Sequence, residues 1–378
     1  MRGSRLETKN HFHLAAGRHS VIYITLFFLL SLSLLIPARA LSISTFKYET
    51  TLRLTAGPVG KTRPTSVTID PIQGEVCITD ERQASLHVLN NADIELFRTS
   101  TIAQLSYPGD GCIDQLGRLV CVDRAGAGVF TIRRLNVYGE PDLFTPEQPC
   151  LNWIPTHLII TRDGNYLTLD SRNAVLAKHD CRDGHLIWQR TIAETGSDDL
   201  HLGRPAEAPN GQLYIPGGNL RRVLVLDSNG YLNTSFGEFG SAQGYFSLPV
   251  AASFTPQGGL IILDRMRHKL MVFQPQYELI SDLPNEMENS EQFSQPVSLV
   301  LGRMLQRIMS YKYEHRFVSE FGSMGSAPGQ FYHPVAIAAD KGGRVYVTQG
   351  FQGRVQVFRY TADESGQSRP SLLNAGGM

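Results

Sequence analysis

Along this chain a hairpin glycine is followed by mostly apolar residues two and four positions later and by a turn-forming position at the sixth, and the beat recurs six times. Gly74 leads to Val76, Ile78 and Asp80, Gly117 to Leu119, Cys121 and Asp123, and Gly164 to Tyr166, Thr168 and Asp170. Gly211 leads to Leu213, Ile215 and Gly217, Gly258 to Leu260, Ile262 and Asp264, and Gly343 to Val345, Val347 and Gln349. The sixth positions stand at 80, 123, 170, 217, 264 and 349, so their intervals are 43, 47, 47, 47 and 85. A near-constant period of this length marks a repeat array. Alternating apolar residues broken by Gly, Asn and Asp turns make each unit a small antiparallel sheet. The pattern therefore predicts an all-β propeller.

The last unit shows how one repeat is built. Phe321-Gly322-Ser323-Met324-Gly325 leads through Pro328-Gly329-Gln330-Phe331 to His333-Pro334, a first strand at Val335–Ala338 and a turn at Asp340–Gly343. Arg344–Thr348 is the second strand and Arg354–Phe358 the third. The copy at 236–273 repeats it, from Phe236-Gly237 through Leu248-Pro249 to Lys269-Leu270-Met271-Val272-Phe273. These segments resemble the NHL repeat, whose pattern runs FG-x-x-G-x-x-x-GxF-x-x-P, a glycine hairpin, an Asp, then R-[IV]-x-V-F. The earlier four copies match mainly in the proline, the hairpin glycine and the Asp, and the resemblance covers roughly residues 45–360. It implies a six-bladed ring.

Most repeats also carry a fourth strand after a tight turn, as in Arg182-Asp183-Gly184 before His185–Ile192 and Asp227–Gly230 before Tyr231–Phe236. The last repeat has none, while Tyr48–Leu54 forms an orphan strand near the other end. The expectation is that this N-terminal strand completes the last blade, since an open ring leaves sheet edges free to aggregate. The long last interval predicts an insertion at about 280–316, between the fifth and sixth blades. Val300, Leu301, Met304, Leu305, Ile308 and Met309 have helical spacing there, which predicts a helix near Pro296 to Lys312. Phe293-Ser294-Gln295-Pro296-Val297 imitates a repeat start, so a degenerate seventh blade stays open, although no hairpin glycine follows it. Residues 361–378 form a polar tail expected to be disordered.

Residues 1–40 have a different character. A basic stretch ends at Arg18, an uncharged apolar run spans Val21 to Ile36, and Pro37 precedes Ala38-Arg39-Ala40. These are the parts of a secretory signal. The run is short of the roughly 20 residues that cross a bilayer. Cleavage between Ala40 and Leu41, or retention as a membrane anchor by residues 21–36, both make the body exported, periplasmic or extracellular. Formal charge is zero over 378 residues, with 35 basic and 35 acidic side chains. The first forty residues hold five basic groups and one acidic, so the body keeps 30 basic and 34 acidic, a net of about −4. That charge offers no basic surface for nucleic acid. Cys77, Cys112, Cys121, Cys150 and Cys181 contain no Cys-x-x-Cys spacing. Cys112 and Cys121 flank a turn and could face each other across a hairpin, or all five stay buried thiols.

No nucleophile elbow, phosphate loop, His-Glu-x-x-His pair or dinucleotide fingerprint is present. Asp80, Asp123, Asp170 and Asp264 recur at one repeat position, which suits a structural role, accepting backbone amides at the turn, better than an axial metal. Positions where the repeats differ are more informative. Beside the anchoring prolines stand Arg63, Tyr107, Asp110, His157, Arg204, Glu207 and His333, at the start of the innermost strands and so around one mouth of the axial channel. They are the candidate ligand- or partner-binding residues, and their mixed charge suits a protein partner or polar ligand better than a polyanion. A solvated rim would look similar. The expected function is a non-catalytic binding scaffold without a cofactor. The alternative is a metal-assisted lyase or hydrolase in the axial channel, because related six-bladed architectures include amidating lyases and calcium-dependent lactonases. It would place calcium or zinc near His157 and His333.

Overall fold

The computed structural model describes residues 45–55, 60–125, 129–192, 201–279 and 311–361, all within one compact unit. Six antiparallel sheets stand around an axis. Blade one is Pro64–Ile69, Val76–Asp80, Ser85–Leu89 and Glu95–Arg98. Blade two has three strands, Pro108–Ile113, Leu119–Ala125 and Val129–Leu135. Blade three is His157–Ile160, Tyr166–Asp170, Val175–His179 and Leu186–Thr191. Blade four is Ala206–Glu207, Leu213–Gly217, Arg222–Leu226 and Leu232–Phe236. Blade five is Pro249–Phe254, Leu260–Asp264, Lys269–Leu279 and Tyr311–Phe321. Blade six is Ala336–Ala339, Arg344–Gln349 and Arg354–Thr361, completed by Thr45–Leu52 from the other end of the chain. The six-bladed propeller expected from the repeat is thus the fold.

The repeated beat has a direct structural cause. Each hairpin glycine has positive φ, from 75° at Gly74 to 85° at Gly164, where a Cβ would be strained. The second strands that follow are buried along their whole length in five blades, as at Val76–Asp80 and Tyr166–Asp170, and in blade two as far as Asp123. Their side chains point alternately into two neighbouring interfaces. Val345 and Val347 pack toward blade five, whereas Tyr346 packs toward blade one. Apolar clusters of this kind fill all six gaps between adjacent blades. The outermost strands alternate instead, as at Leu186–Thr191, because one of their faces meets water.

Closure follows the expected route. Thr45–Leu52 pairs antiparallel with Arg354–Thr361, from Thr45 opposite Thr361 to Leu52 opposite Val355, with one irregularity near Tyr48. Phe46 is buried, its ring 5.3 Å from Phe321 and 5.0 Å from Tyr360. Glu49 joins the seam, 3.0 Å from Arg344 and 2.7 Å from Arg359.

Three expectations need correction. The insertion does not lie between blades five and six. Lys269–Leu279 and Tyr311–Phe321 are the third and fourth strands of blade five, paired out to Leu279 opposite Tyr311, so the intervening segment joins strands of one blade. Residues 311–316, assigned to the insertion, and Tyr311 and Lys312, assigned to its helix, are strand. The alternation Tyr311, Tyr313, His315, Phe317 was the legible signal for it. The rest of the expected helix, the seventh-blade motif at 293–297, residues 1–40 and the tail from 362 lie outside the described residues. Thr361, placed at the start of that tail, ends the last strand. Cys112 and Cys121 do not face each other. Cys112 sits opposite Val120 and Cys121 opposite Gly111, and this one-residue offset sends them to opposite faces of blade two. Burial pushes the Cys77 thiol up to about 12 and raises Cys112 and Cys121 well above the ordinary range, so these thiols are poor nucleophiles.

Removing the Phe46 ring should cost about 3–5 kcal/mol, as for other buried aromatics. Phe46→Ala should therefore lower the denaturant midpoint strongly, and an unchanged midpoint would show that the seam does not hold the ring. Burial also lowers His179 and His315 from 6.5 to about 4. Between these values the unfolded chain takes up protons that the folded chain refuses, so stability falls as pH falls. Melting temperature should drop between about pH 7 and about pH 4.5, and a flat profile would contradict this assignment.

Candidate functional site

At the end of the ring where the innermost strands begin, the turns are held by buried carboxylates. Asp80 accepts the amides of Arg63, Arg82 and Gln83 at 3.0, 2.9 and 3.0 Å. Asp123 accepts those of Ser106 and Tyr107, and Asp170 those of Ile154, Arg172 and Asn173. Asp264 accepts those of Ser247, Leu248, Met266 and Arg267. Asp80, Asp170 and Asp264 each tie the segment entering their blade to the turn between its second and third strands, and Asp123 holds the entering segment of blade two. In blade six the Gln349 side-chain oxygen takes the Tyr332 amide at 3.1 Å. The recurring Asp positions are scaffold, as their periodicity suggested.

Blade four breaks the rule, and the break shapes the channel. Gly217 occupies the carboxylate position, so the Arg204 amide has no side-chain acceptor there. It donates to the Val250 carbonyl at 2.9 Å instead, and Arg204 accepts the Ala252 amide at 3.3 Å, which stitches this segment onto blade five. Gly203 permits the approach, since a Cβ there would collide with the Val250 carbonyl. The Arg204 side chain crosses to blade two, where Nε donates to Asp110 at 2.9 and 3.1 Å. Its Nη2 donates to the Leu158 carbonyl at 3.3 Å. The Leu158 amide donates to Asp110 at 3.2 Å, and His157 Nδ1 lies 3.5 Å from the same carboxylate. Burial alone would raise the Asp110 carboxyl. Arg204, then His157 and the Leu158 amide, outweigh it and hold Asp110 below the ordinary carboxylate range.

The seven candidate residues therefore do not form one ring. Asp110, His157 and Arg204 come together, with Asp110 and Arg204 buried. Arg63 is exposed, 3.4 Å from Glu81 and stacked 5.6 Å from the Phe351 centroid. His333 packs on that same Phe351 and faces His268, with ring centroids 5.3 and 6.5 Å apart. Both histidines have positive φ, 46° and 58°, an uncommon conformation for such residues. Burial first, and then His333, lower the His268 imidazole. Tyr107 is exposed beside Arg124, 5.4 Å away. Glu207 stands further along its inner strand. It accepts the Arg162 amide at 2.7 Å and lines both the axial cavity and a groove of about 240 Å³ with Asp163, Lys178 and Trp188 between blades three and four. Burial raises its carboxyl.

A cavity of about 280 Å³ occupies the axis, lined by inner-strand residues of all six blades and reaching Arg204. Thr68, Thr161 and Ser253 are its hydroxyl-bearing residues. Among the described residues no group of three or more His, Cys, Asp or Glu is arranged to hold a metal ion. Comparison of the residues beside the anchoring prolines missed Phe351 and Arg221, which stand in the turns between second and third strands, and Phe239, in the linker before blade five. Arg221 stacks 4.0 Å from the exposed Phe239 ring.

No family model matches the chain. Among solved structures it is similar to a streptogramin B lyase, at 11% identity over 84% of this chain and 98% of that one, with a TM-score of 0.54. It is also similar to a catalytically inactive variant of virginiamycin B lyase from Staphylococcus aureus with quinupristin, at 13% identity, 85% and 90% coverage and a TM-score of 0.51. A protein of unknown function from Bacteroides thetaiotaomicron matches at 11% identity, 83% and 73% coverage and a TM-score of 0.54. At such identities the likeness concerns the fold alone: the chain is a six-bladed β-propeller.

Arg204→Met would leave the Asp110 charge buried without its cation, which should cost about 3–5 kcal/mol. Asp110→Asn combined with Arg204→Met should recover much of that loss. Denaturation midpoints of wild type, Arg204→Met, Asp110→Asn and the double variant give the coupling energy, and additive losses would show that the pair does not act as a unit.

Proposed function

We propose that this chain is an exported, NHL-like β-propeller scaffold that binds a protein partner through the face carrying Arg63, Tyr107 and His333, without catalytic turnover. One observation carries the reading. The segments of that face are fixed by buried Asp side chains and by Gln349, and from the same face project Tyr107, Phe239 and Phe351, which are 52%, 63% and 68% exposed. Large aromatics held on a rigid scaffold contribute contact area at little entropic cost, and with Arg they dominate binding energy at protein interfaces. The titratable groups nearest the axis, Asp110, His157 and Arg204, are bonded to one another and to the Leu158 backbone, which suits bracing between blades better than proton transfer. Export rests on the character of residues 1–40, and the NHL assignment on the repeat pattern itself.

A metal-assisted lyase in the axial channel is the competing reading, favoured by the lyases of similar fold. Metal analysis of purified protein separates the two, since stoichiometric zinc or calcium lost on substituting His157 and His333 would establish the enzyme reading. For the binding reading, wild type, Tyr107→Ala and Phe351→Ala should be compared in cross-linked capture from the producing cell's exported fraction. Each truncation should weaken recovery of the captured protein by about tenfold, equivalent to about 1.4 kcal/mol. Leu143→Ala, at a site 99% exposed, serves as control. Equal recovery by all four chains would remove this face as the binding site.

A further inference from the structure

We propose that the partner bound by this face is an acidic segment, an extended stretch in which Asp and Glu alternate with apolar residues. The inference rests on the binding reading above and adds the chemistry of what is bound.

The charge left unmatched on this face is positive. Arg82, Arg124, Arg172 and Arg221 belong to the ends or turns that join second to third strands, and all four are exposed. None forms an ion pair among the described residues. The carboxylates of the same turns, Asp80, Asp123, Asp170 and Asp264, are fully buried and bonded to backbone amides, so they contribute little to the outer surface. Glu81 is matched by Arg63. Asp110 is buried against Arg204, and Glu207 lies in the groove between blades three and four. Among the described residues the mixed polar ring suggested by sequence is thereby resolved into a cationic rim, with Glu238 its exposed acidic exception. Glu194, Asp198 and Asp199 fall in the joining segment outside the described residues.

Geometry adds selectivity. Three arginines of this face each lie over an exposed ring: Arg63 over Phe351, Arg124 over Tyr107 and Arg221 over Phe239, at 5.6, 5.4 and 4.0 Å. Arg124 and Arg221, without an ion pair among the described residues, keep their N–H edges free for a carboxylate while the ring beside each offers apolar contact, whereas Arg63 is already paired with Glu81. Such pairs, spaced around the rim, match a chain that presents charge and hydrophobe alternately. They match nucleic acid less well, because the ring faces on which bases would stack already carry guanidinium groups.

The test uses fluorescence anisotropy with the full propeller and three labelled probes: a Glu/Leu-rich peptide, its Lys/Leu counterpart and single-stranded oligo-uridine. The acidic peptide should bind in preference to both others and weaken as salt is raised. Arg82→Glu and Arg172→Glu, which touch no aromatic ring, should each reduce its affinity by about tenfold. Equal affinity for the Glu- and Lys-rich peptides, or preference for the oligonucleotide, would overturn the proposal. If the Lys-rich probe binds and loses affinity in Tyr107→Ala and Phe351→Ala, the face still binds peptide but the acidic specificity is refuted. If no probe responds to either aromatic truncation, the binding face itself is refuted.

Discussion

A ring made of sheets has to close, and here closure rests on one non-local pairing. Thr45–Leu52 lies beside Arg354–Thr361, so the two ends of the body share a blade. Each blade buries both faces of its second strand, and therefore needs a neighbour on either side. A gap at the seam would expose blade six on one flank and blade one on the other. Leu52 and Leu54, buried between blades six and one, and Arg344, which joins Glu49 to Asp93 of blade one, make that last interface equivalent to the others, while Phe46 packs between blades five and six. Without it the apolar wedges nearest the seam would open to water, and a sheet edge would be offered for intermolecular pairing.

Within the closed ring, a single omitted carboxylate sets the character of the axis. Four blades hold their entry turns with an Asp, and a fifth does so with Gln349. Gly217 leaves blade four without that acceptor, and Arg204 is drawn to blade five by its backbone and to blade two by its side chain. Its guanidinium then meets Asp110, the Leu158 carbonyl and the neighbourhood of His157. Charges that would otherwise line a channel mouth become a brace across it. The outward face keeps the arginines and aromatics of the turns, and those are the groups open to a partner.

This arrangement explains why the candidate residues separated. Comparing aligned repeats identifies positions that share a place along the inner strand, and Arg63, Tyr107, His157 and His333 do stand where that comparison put them. It does not reveal how deeply a side chain is drawn inward. Arg204 occupies the repeat position of the exposed Arg63 and Tyr107, yet it is drawn in and neutralised by a blade two positions away, and Glu207 reaches a groove that the equivalent residues of other blades do not line. Phe351, Phe239 and Arg221 escaped because the comparison was confined to the residues beside the anchoring prolines, whereas these three stand in the turns between second and third strands and in a linker between blades.

What the amino-acid order determined by itself was local and periodic. The spacing of glycines, the alternation of apolar residues and the recurring Asp encode hairpins, buried strands and turns, all properties of a few neighbouring residues. The orphan strand at the N-terminus was legible for the same reason, since a blade lacking its last strand and a strand lacking a blade are complementary patterns. Only the tertiary structure decided where the insertion joins blade five, which faces Cys112 and Cys121 take, and which charges meet. Those outcomes depend on strand register and on contacts between residues tens of positions apart, such as Asp110 with Arg204, whose energies belong to the assembled ring and leave no trace in any single repeat.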